Sequence, residues 1–392
     1  MFKTLNETNN PDLPKLDWGT NRLTSLPENF LAHLNTLKSL FLSFNDLTKL
    51  STNMFFGLDS LITLKIDNNH LKLLPSGIFD SLTNLTSLYL CENDLQSINS
   101  TTFMKLTQLQ TLSFVSNSVG DLDENIFVNL VNLKKILLWS NQLTSLPSSS
   151  LFKSLVNLQY IYLDNNSISF MNDSIFNGLK SLVYINLEKN KLNNLGRNSF
   201  KGLARLETLL LKENKLNSLD TNLFDELTSL SILDLESNQI DSLNPDQFKN
   251  NTALTELHLN FNKLTNLSEN LFSSLKNLQF LNLCGNQIVS LDESGLFSRL
   301  SQLNTLDLSL NRLTSLSLTI FQNLTQLQTL KLNHNNMSNF NASILNGLIN
   351  LSKFYMACNK ITITEPKYVQ GLCKINNLAC IVDINYDGDC SL

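Results

Sequence analysis

The 24 residues Leu206–Ser229 carry the pattern that most restricts how this chain can fold. They read Leu206-x-x-Leu209-x-Leu211-x-x-Asn214-x-Leu216-x-x-Leu219, with Phe224 and Leu227 further on, and Leu230 begins the pattern again. The asparagine recurs at Asn21, Asn45, Asn69, Asn93, Asn117 and Asn141, then at Asn166, Asn190, Asn214, Asn238, Asn262 and Asn286, and finally at Asn311, Asn335 and Asn359. Two steps of 25 residues interrupt the spacing of 24, and the register resumes after each. That places single-residue bulges around Ser148–Phe152 and Asp292–Phe297. One such tract cannot bury its own apolar edge, so the 15 repeats fold only as a stack, one solenoid rather than two or three globular domains.

The pattern also has a local reading. In Leu-x-x-Leu-x-Leu the apolar residues alternate with polar ones, which predicts a short strand with one buried face, stacking in parallel on its neighbours. An asparagine amide both donates and accepts, so a buried column of them can satisfy backbone groups where each repeat leaves its strand. A phenylalanine column runs beside it, from Phe55 and Phe79 through Phe224 to Phe297 and Phe321, with Leu345 last. It predicts an aromatic spine on the far side of the stack.

The unit LxxLxLxxNxLxxLxxxxFxxLxx resembles the typical 24-residue leucine-rich repeat, the class of Toll-like receptor ectodomains, Slit proteins and variable lymphocyte receptors. It covers about 13–361. The resemblance implies an α/β solenoid, a horseshoe with a parallel concave sheet and mostly irregular or short helical convex segments. Asn251 in place of Leu, and Met171 and Phe340 in place of Leu, should loosen the convex packing without breaking the fold. Residues 1–12 then form an N-terminal segment, either a truncated repeat or a local cap built on Phe2, Leu5 and Pro11, and 362–392 a cysteine-containing C-terminal cap. Neither end has the cysteine spacing usual in the family's caps.

Cys358, Cys373, Cys380 and Cys390 crowd the last segment and are disulfide candidates, whereas Cys91 and Cys284 lie far apart inside repeats and read as free thiols. Stapled ends favour an extracellular or cell-surface site; six reduced thiols would place the chain in the cytoplasm. The formal net charge of −5, with no run of Lys or Arg, argues against a nucleic-acid partner. No apolar run approaches the roughly 18 residues of a membrane span. Eleven Asn-x-Ser/Thr sequons are about what chance gives in so asparagine-rich a chain.

Chemistry is sparse. His33, His70, His258 and His334 occupy unrelated positions of different repeats, with no pair at metal-ligand spacing and no nucleophile grouping. The expectation is therefore no enzyme, no cofactor and no metal. Asp383, Asn385, Asp387 and Gly388 match the opening of a calcium loop, but the chain ends at Leu392 without the closing glutamate, and the segment reads as a solvated acidic tail.

The variable strand positions point out from the sheet and map a binding face. Leu137, Trp139, Tyr160, Tyr162 and Tyr184 cluster there, where most repeats offer Ser, Thr, Asn or charge; Phe41 with Phe44 and Phe261 with Phe280 are the exceptions. Beside them in the map stand Asp164, Glu188, Glu213, Asp234, Glu236 and Glu256, with Lys189 and Lys212 interleaved. Trp and Tyr bury large area at low entropic cost and keep a polar handle, so they anchor interfaces. The map predicts a protein or peptide partner with basic groups on its flank, or a glycan. The overall expectation is a receptor-like or adhesive recognition protein; an intracellular scaffold or enzyme regulator is the alternative.

Overall fold

The computed structural model describes residues 13–291 and 295–361 and the strand Ile381–Asp383. It divides into two compact units, Met1–Leu192 with Lys201–Leu203 and Asn193–Phe200 with Ala204–Leu392. The expected cap residues Phe2, Leu5 and Pro11, the cysteines Cys373, Cys380 and Cys390, and the tail positions Asn385, Asp387 and Gly388 lie outside the described residues.

In the first unit the strands Lys15–Asp17, Ser39–Phe41, Thr63–Lys65, Ser87–Tyr89, Thr111–Ser113, Lys135–Leu137, Tyr160–Tyr162 and Tyr184–Asn186 pair in parallel, each with the next coil's strand. The second unit continues the same scheme from Thr208–Leu210 through Ile232–Asp234, Glu256–His258, Phe280–Asn282, Thr305–Asp307 and Thr329–Lys331 to Lys353–Tyr355. Ile381–Asp383 adds a further parallel strand beside Lys353–Tyr355, so Asp383 belongs to a strand. Each strand from Lys15–Asp17 to Lys353–Tyr355 in the long sheet buries its middle residue, as the alternation requires. Leu206, Leu209, Leu211 and Leu216 are all fully buried; burying a leucine side chain stabilises by roughly 1.5–3 kcal/mol.

The connections back to the next strand are turns, and among the described residues one 3-10 helix occurs, Ala342–Leu345, capped by Asn341. Phenylalanines fill this side. Phe152 and Phe176 stack at 6.1 Å and 4° in the first unit, Phe224 and Phe248 at 6.2 Å and 9° in the second. The Ser148–Phe152 bulge sits in such a connection, just past a two-stranded sheet that pairs Ser145 with Phe170 and Leu146 with Met171. The first residues of the Asp292–Phe297 bulge lie outside the described residues. Met171 is buried, and Phe340 lies 5.7 Å from the Phe354 ring. Asn251 is buried too, its Nδ2 donating to the carbonyls of Phe224 and Leu227 at 2.9 and 3.0 Å. The polar substitution thus spans two carbonyls through its Nδ2, while its Oδ1 is buried without a hydrogen-bond partner.

The asparagine column behaves as a ladder. Asn69 Nδ2 donates to the Leu42 carbonyl of the preceding coil at 3.0 Å and to its own Ile66 and Asp67 carbonyls, while Oδ1 accepts the Leu47 N–H at 3.0 Å. Asn238 repeats this with Leu211, Leu235, Glu236 and Leu216. The residue just before each ladder asparagine, from Thr20 to Cys358, has φ between 49° and 66°. This left-handed step turns the chain out of the strand. Only at Gly285 is the step taken by glycine; elsewhere Phe44, Lys189, Leu310 and others accept roughly 1–2 kcal/mol of strain there.

Candidate functional site

The exposed face of the first unit's sheet carries the aromatic group. Strand register sets Lys135 beside Tyr160 and Tyr160 beside Tyr184, and Leu137 beside Tyr162 in the next row. The tightest ring contact is diagonal: Tyr162 and Tyr184 lie 4.9 Å apart at 35°, Tyr160 and Tyr184 6.4 Å apart at 38°. Lys135 Nζ lies 5.1 Å from the Tyr162 ring centre, a cation–π contact that the sequence map omitted. Trp139 is 36% exposed and Tyr160 37%, while Leu137, Tyr162 and Tyr184 are half-buried. Within the cluster the closest rings are thus Tyr162 and Tyr184, with Trp139 at the row beyond.

Charge at this patch is mixed, with Lys135 over the Tyr162 ring and Lys189 near the Asp164 carboxylate. Asp164 and Glu188 follow the Tyr162 and Tyr184 strands, and the Ser140 N–H donates to the Asp164 carbonyl. Burial pushes the Tyr184 phenol up to about 12, assisted by Tyr162, Glu188 and Asp164. Burial likewise raises Tyr162, with Tyr160 and Asp164 adding to it. It raises the Asp164 carboxyl as well, against its own backbone amide and Lys189. Asp164 Oδ1 is buried without a hydrogen-bond partner. The arrangement offers flat aromatic area edged by carboxylates and holds no group placed for nucleophilic attack.

The remaining mapped residues, Glu213, Asp234, Glu236 and Glu256, lie on the second unit. They are not a bare acidic field. Lys212 Nζ binds Glu236 Oε1 at 2.8 Å, and His258 Nε2 lies 3.6 Å from Glu256 Oε2. Burial opposes the Glu236 charge, yet Lys212 and the Asn260 amide hold its carboxyl below the usual range. Asp234 is raised by burial, against the Glu236 N–H and His258. Asp234 and His258 are register partners, so the histidine enters the acidic group although no spacing along the chain announces it. Ligand atoms of Asp234, Glu236 and His258 all lie within 4.8 Å of one another.

The two repeat cysteines are free thiols, each beside a serine: Cys91 Sγ lies 2.9 Å from Ser113 Oγ, and Ser309 Oγ donates to Cys284 Sγ at 3.2 Å.

No curated protein matches the chain. Its fold is similar to a leucine-rich-repeat protein of Leptospira interrogans at 26% identity and a TM-score of 0.77, the match covering 98% of this chain and 99% of that one. A TDR receptor gives 26% and 0.73, covering 96% and 65%. The plant peptide hormone receptor RGFR1, solved with RGF2, gives 25% and 0.62, covering 89% and 64%. The chain thus spans just under two thirds of each receptor. The leucine-rich-repeat pattern itself matches residues 11–71, 60–119, 83–143, 131–192, 181–240, 228–288 and 289–337. Because those matches run through most of its length, and the coils they describe are the coils observed, this chain belongs to the leucine-rich-repeat family.

Proposed function

We propose that the chain is a receptor-like recognition protein that captures a protein or peptide segment on the exposed sheet face of its first unit. The observation that carries this is the group Trp139, Tyr160, Tyr162 and Tyr184, edged by Asp164 and Glu188. Large amphipathic rings on a rigid sheet lose little entropy on binding, and the carboxylates select basic residues at the edge of the bound segment. The resemblance to a receptor solved with a peptide hormone supports a peptide-sized ligand. The reading assigns no catalysis, and the repeat scaffold supports that assignment because its variable positions present surface rather than a cleft.

Panning a random peptide library on the intact protein, then comparing the selected peptides on Trp139→Ala and Tyr162→Ala, tests the reading. Affinity should fall by at least about tenfold for either change. Affinities within a fewfold of the parent would mean that the rings merely pack along the sheet.

An extracellular site is part of the proposal, supported by the disulfide-bonded Cys358. The free Cys91 and Cys284 favour the alternative, an intracellular scaffold. Counting thiols under denaturing, non-reducing conditions separates the two: two free thiols support secretion, six support the cytoplasm.

A further inference from the structure

We propose that Asp234, Glu236 and His258 form a binding site for a divalent transition-metal ion, zinc being the ion their donors suit best. The three side chains come from two adjacent coils. Asp234 and His258 face each other across paired strands, and Glu236 lies two residues past Asp234, on the same side of the sheet. Their ligand atoms lie within 4.8 Å of one another. Zinc bonds to nitrogen and oxygen at about 2.0–2.2 Å, which sets tetrahedral ligands roughly 3.4 Å apart, so modest side-chain rotation closes the set. One imidazole with two carboxylates is an N/O donor set in zinc's range, and three protein ligands leave a fourth position open toward solvent or a bound segment.

The surroundings supply what a metal site needs beyond its ligands. The His258 ring leans on Phe280, centroids 4.9 Å apart, which limits its rotation. Glu256 Oε2, 3.6 Å from His258 Nε2, stands where it can take an imidazole N–H and orient the ring. Asp234 Oδ1 already accepts the Glu236 N–H at 2.8 Å, which steadies its carboxylate.

An independent observation comes from Asn260. It is only 3% exposed, its amide hydrogen-bonds Glu236, and its Oδ1 is buried with no partner. A buried amide oxygen without a partner is costly. Half a turn of the amide, exchanging its hydrogen bond to Glu236 for a contact with the ion, would bring that oxygen to the Glu236 side and leave the amide N–H in its place. Lys212 is the built-in competitor, since its ammonium occupies Glu236 Oε1 at 2.8 Å and must swing away as the metal enters.

That competition gives a test with two opposite signs. The full chain, stripped with chelator, is titrated with zinc near neutral pH by calorimetry, and far-UV circular dichroism checks the fold of each variant. The parent should bind in the micromolar range or tighter. His258→Gln and Glu236→Gln should each weaken binding by at least about tenfold, and Lys212→Gln should tighten it severalfold. The proposal is overturned if the parent shows no micromolar site. It is equally overturned if His258→Gln binds zinc within about twofold of the parent, which would put the ion elsewhere, for example on the acidic C-terminal tail. Should one ligand variant lose its fold, Lys212→Gln still decides, because weaker or unchanged binding there contradicts a metal on Glu236.

Discussion

Replacing Asn238 by alanine removes four hydrogen bonds, but they are not equivalent. Leu235 O keeps Asn262 Nδ2 at 2.9 Å, Leu211 O keeps Asn214 Nδ2 at 3.1 Å, and Glu236 O keeps the Glu213 N–H at 2.9 Å. Only the Leu216 N–H, held by Asn238 Oδ1 at 3.0 Å, is left alone in the interior. An orphaned buried N–H costs about 1–3 kcal/mol, and the thinned carbonyl contacts add a few tenths each, so the change should destabilise by about 2–4 kcal/mol. Asn238→Asp is the sharper variant. It keeps an acceptor for Leu216 but aims a second oxygen at the carbonyls of Leu211, Leu235 and Glu236. Those oxygens favour the protonated acid, which raises the folded-state carboxyl above its unfolded value. Stability is then intact below the unfolded carboxyl range and is lost as pH rises through the raised one. At neutral pH the aspartate should cost more than the alanine. Urea unfolding followed by circular dichroism reads the global loss, and hydrogen exchange at Leu216 reads the local one. Asn277→Ala, which removes one exposed bond to Thr252 O, is the control and should stay within about 0.5 kcal/mol. The reasoning fails if Asn238→Ala matches that control, or if the aspartate is the milder change at neutral pH.

Other outcomes follow from the same structure. At Ser237, with φ of 54°, a β-branched residue is poorly accommodated, so Ser237→Val should cost roughly 1–2 kcal/mol and Ser237→Gly should be near neutral, measured by chemical denaturation. Asp307 is buried and held by Lys331 Nζ at 2.9 Å and by Ser309 N–H and Oγ. Discounted for the solvated end of Lys331, Lys331→Met should cost about 1–2 kcal/mol, read as a lower urea midpoint. Burial pushes the Cys91 thiol up to about 11, so it should resist alkylation at neutral pH and react as the pH approaches that value; rapid neutral-pH labelling would contradict its placement.

Strand positions were legible in the chain because Leu, Asn and Phe recur at one spacing and each has a single physical task. The left-handed step before the asparagine was not legible, since its occupants, among them Phe44, Glu92, Lys189 and Leu310, share no chemistry. What selects that conformation is the asparagine's set of bonds, not the residue that adopts it. A second set of inter-coil bonds went unseen for a related reason. Asn84, Asn132, Asn157, Asn277 and Asn350 each donate to a carbonyl one coil back at 2.8–2.9 Å, but other residues interrupt the column and hide its period. On the exposed sheet face, the columns make Tyr160 and Tyr184 neighbours, but that the diagonal pair Tyr162 and Tyr184 is closest depends on side-chain lean. His258 looked unrelated to Asp234 and Glu236 because their proximity arises only when one coil lies on the next.

The asparagine ladder has a direction. Asn45 reaches back to Trp18 O and Leu23 N–H, Asn69 to Leu42 O and Leu47 N–H, Asn335 to Leu308 O and Leu313 N–H. Each bridge completes the coil before it, so the stack is polar in the sense that a filament is polar. Removing a coil from the leading side takes partners from the next asparagine but leaves no backbone group of the remaining coils without its asparagine. Removing one from the trailing side strips the coil ahead of its partner. Repeats of this kind can therefore be exchanged or deleted whole in the middle, where every asparagine meets an equivalent carbonyl and amide, whereas the trailing side of any excised block must be given a substitute for the asparagine it has lost.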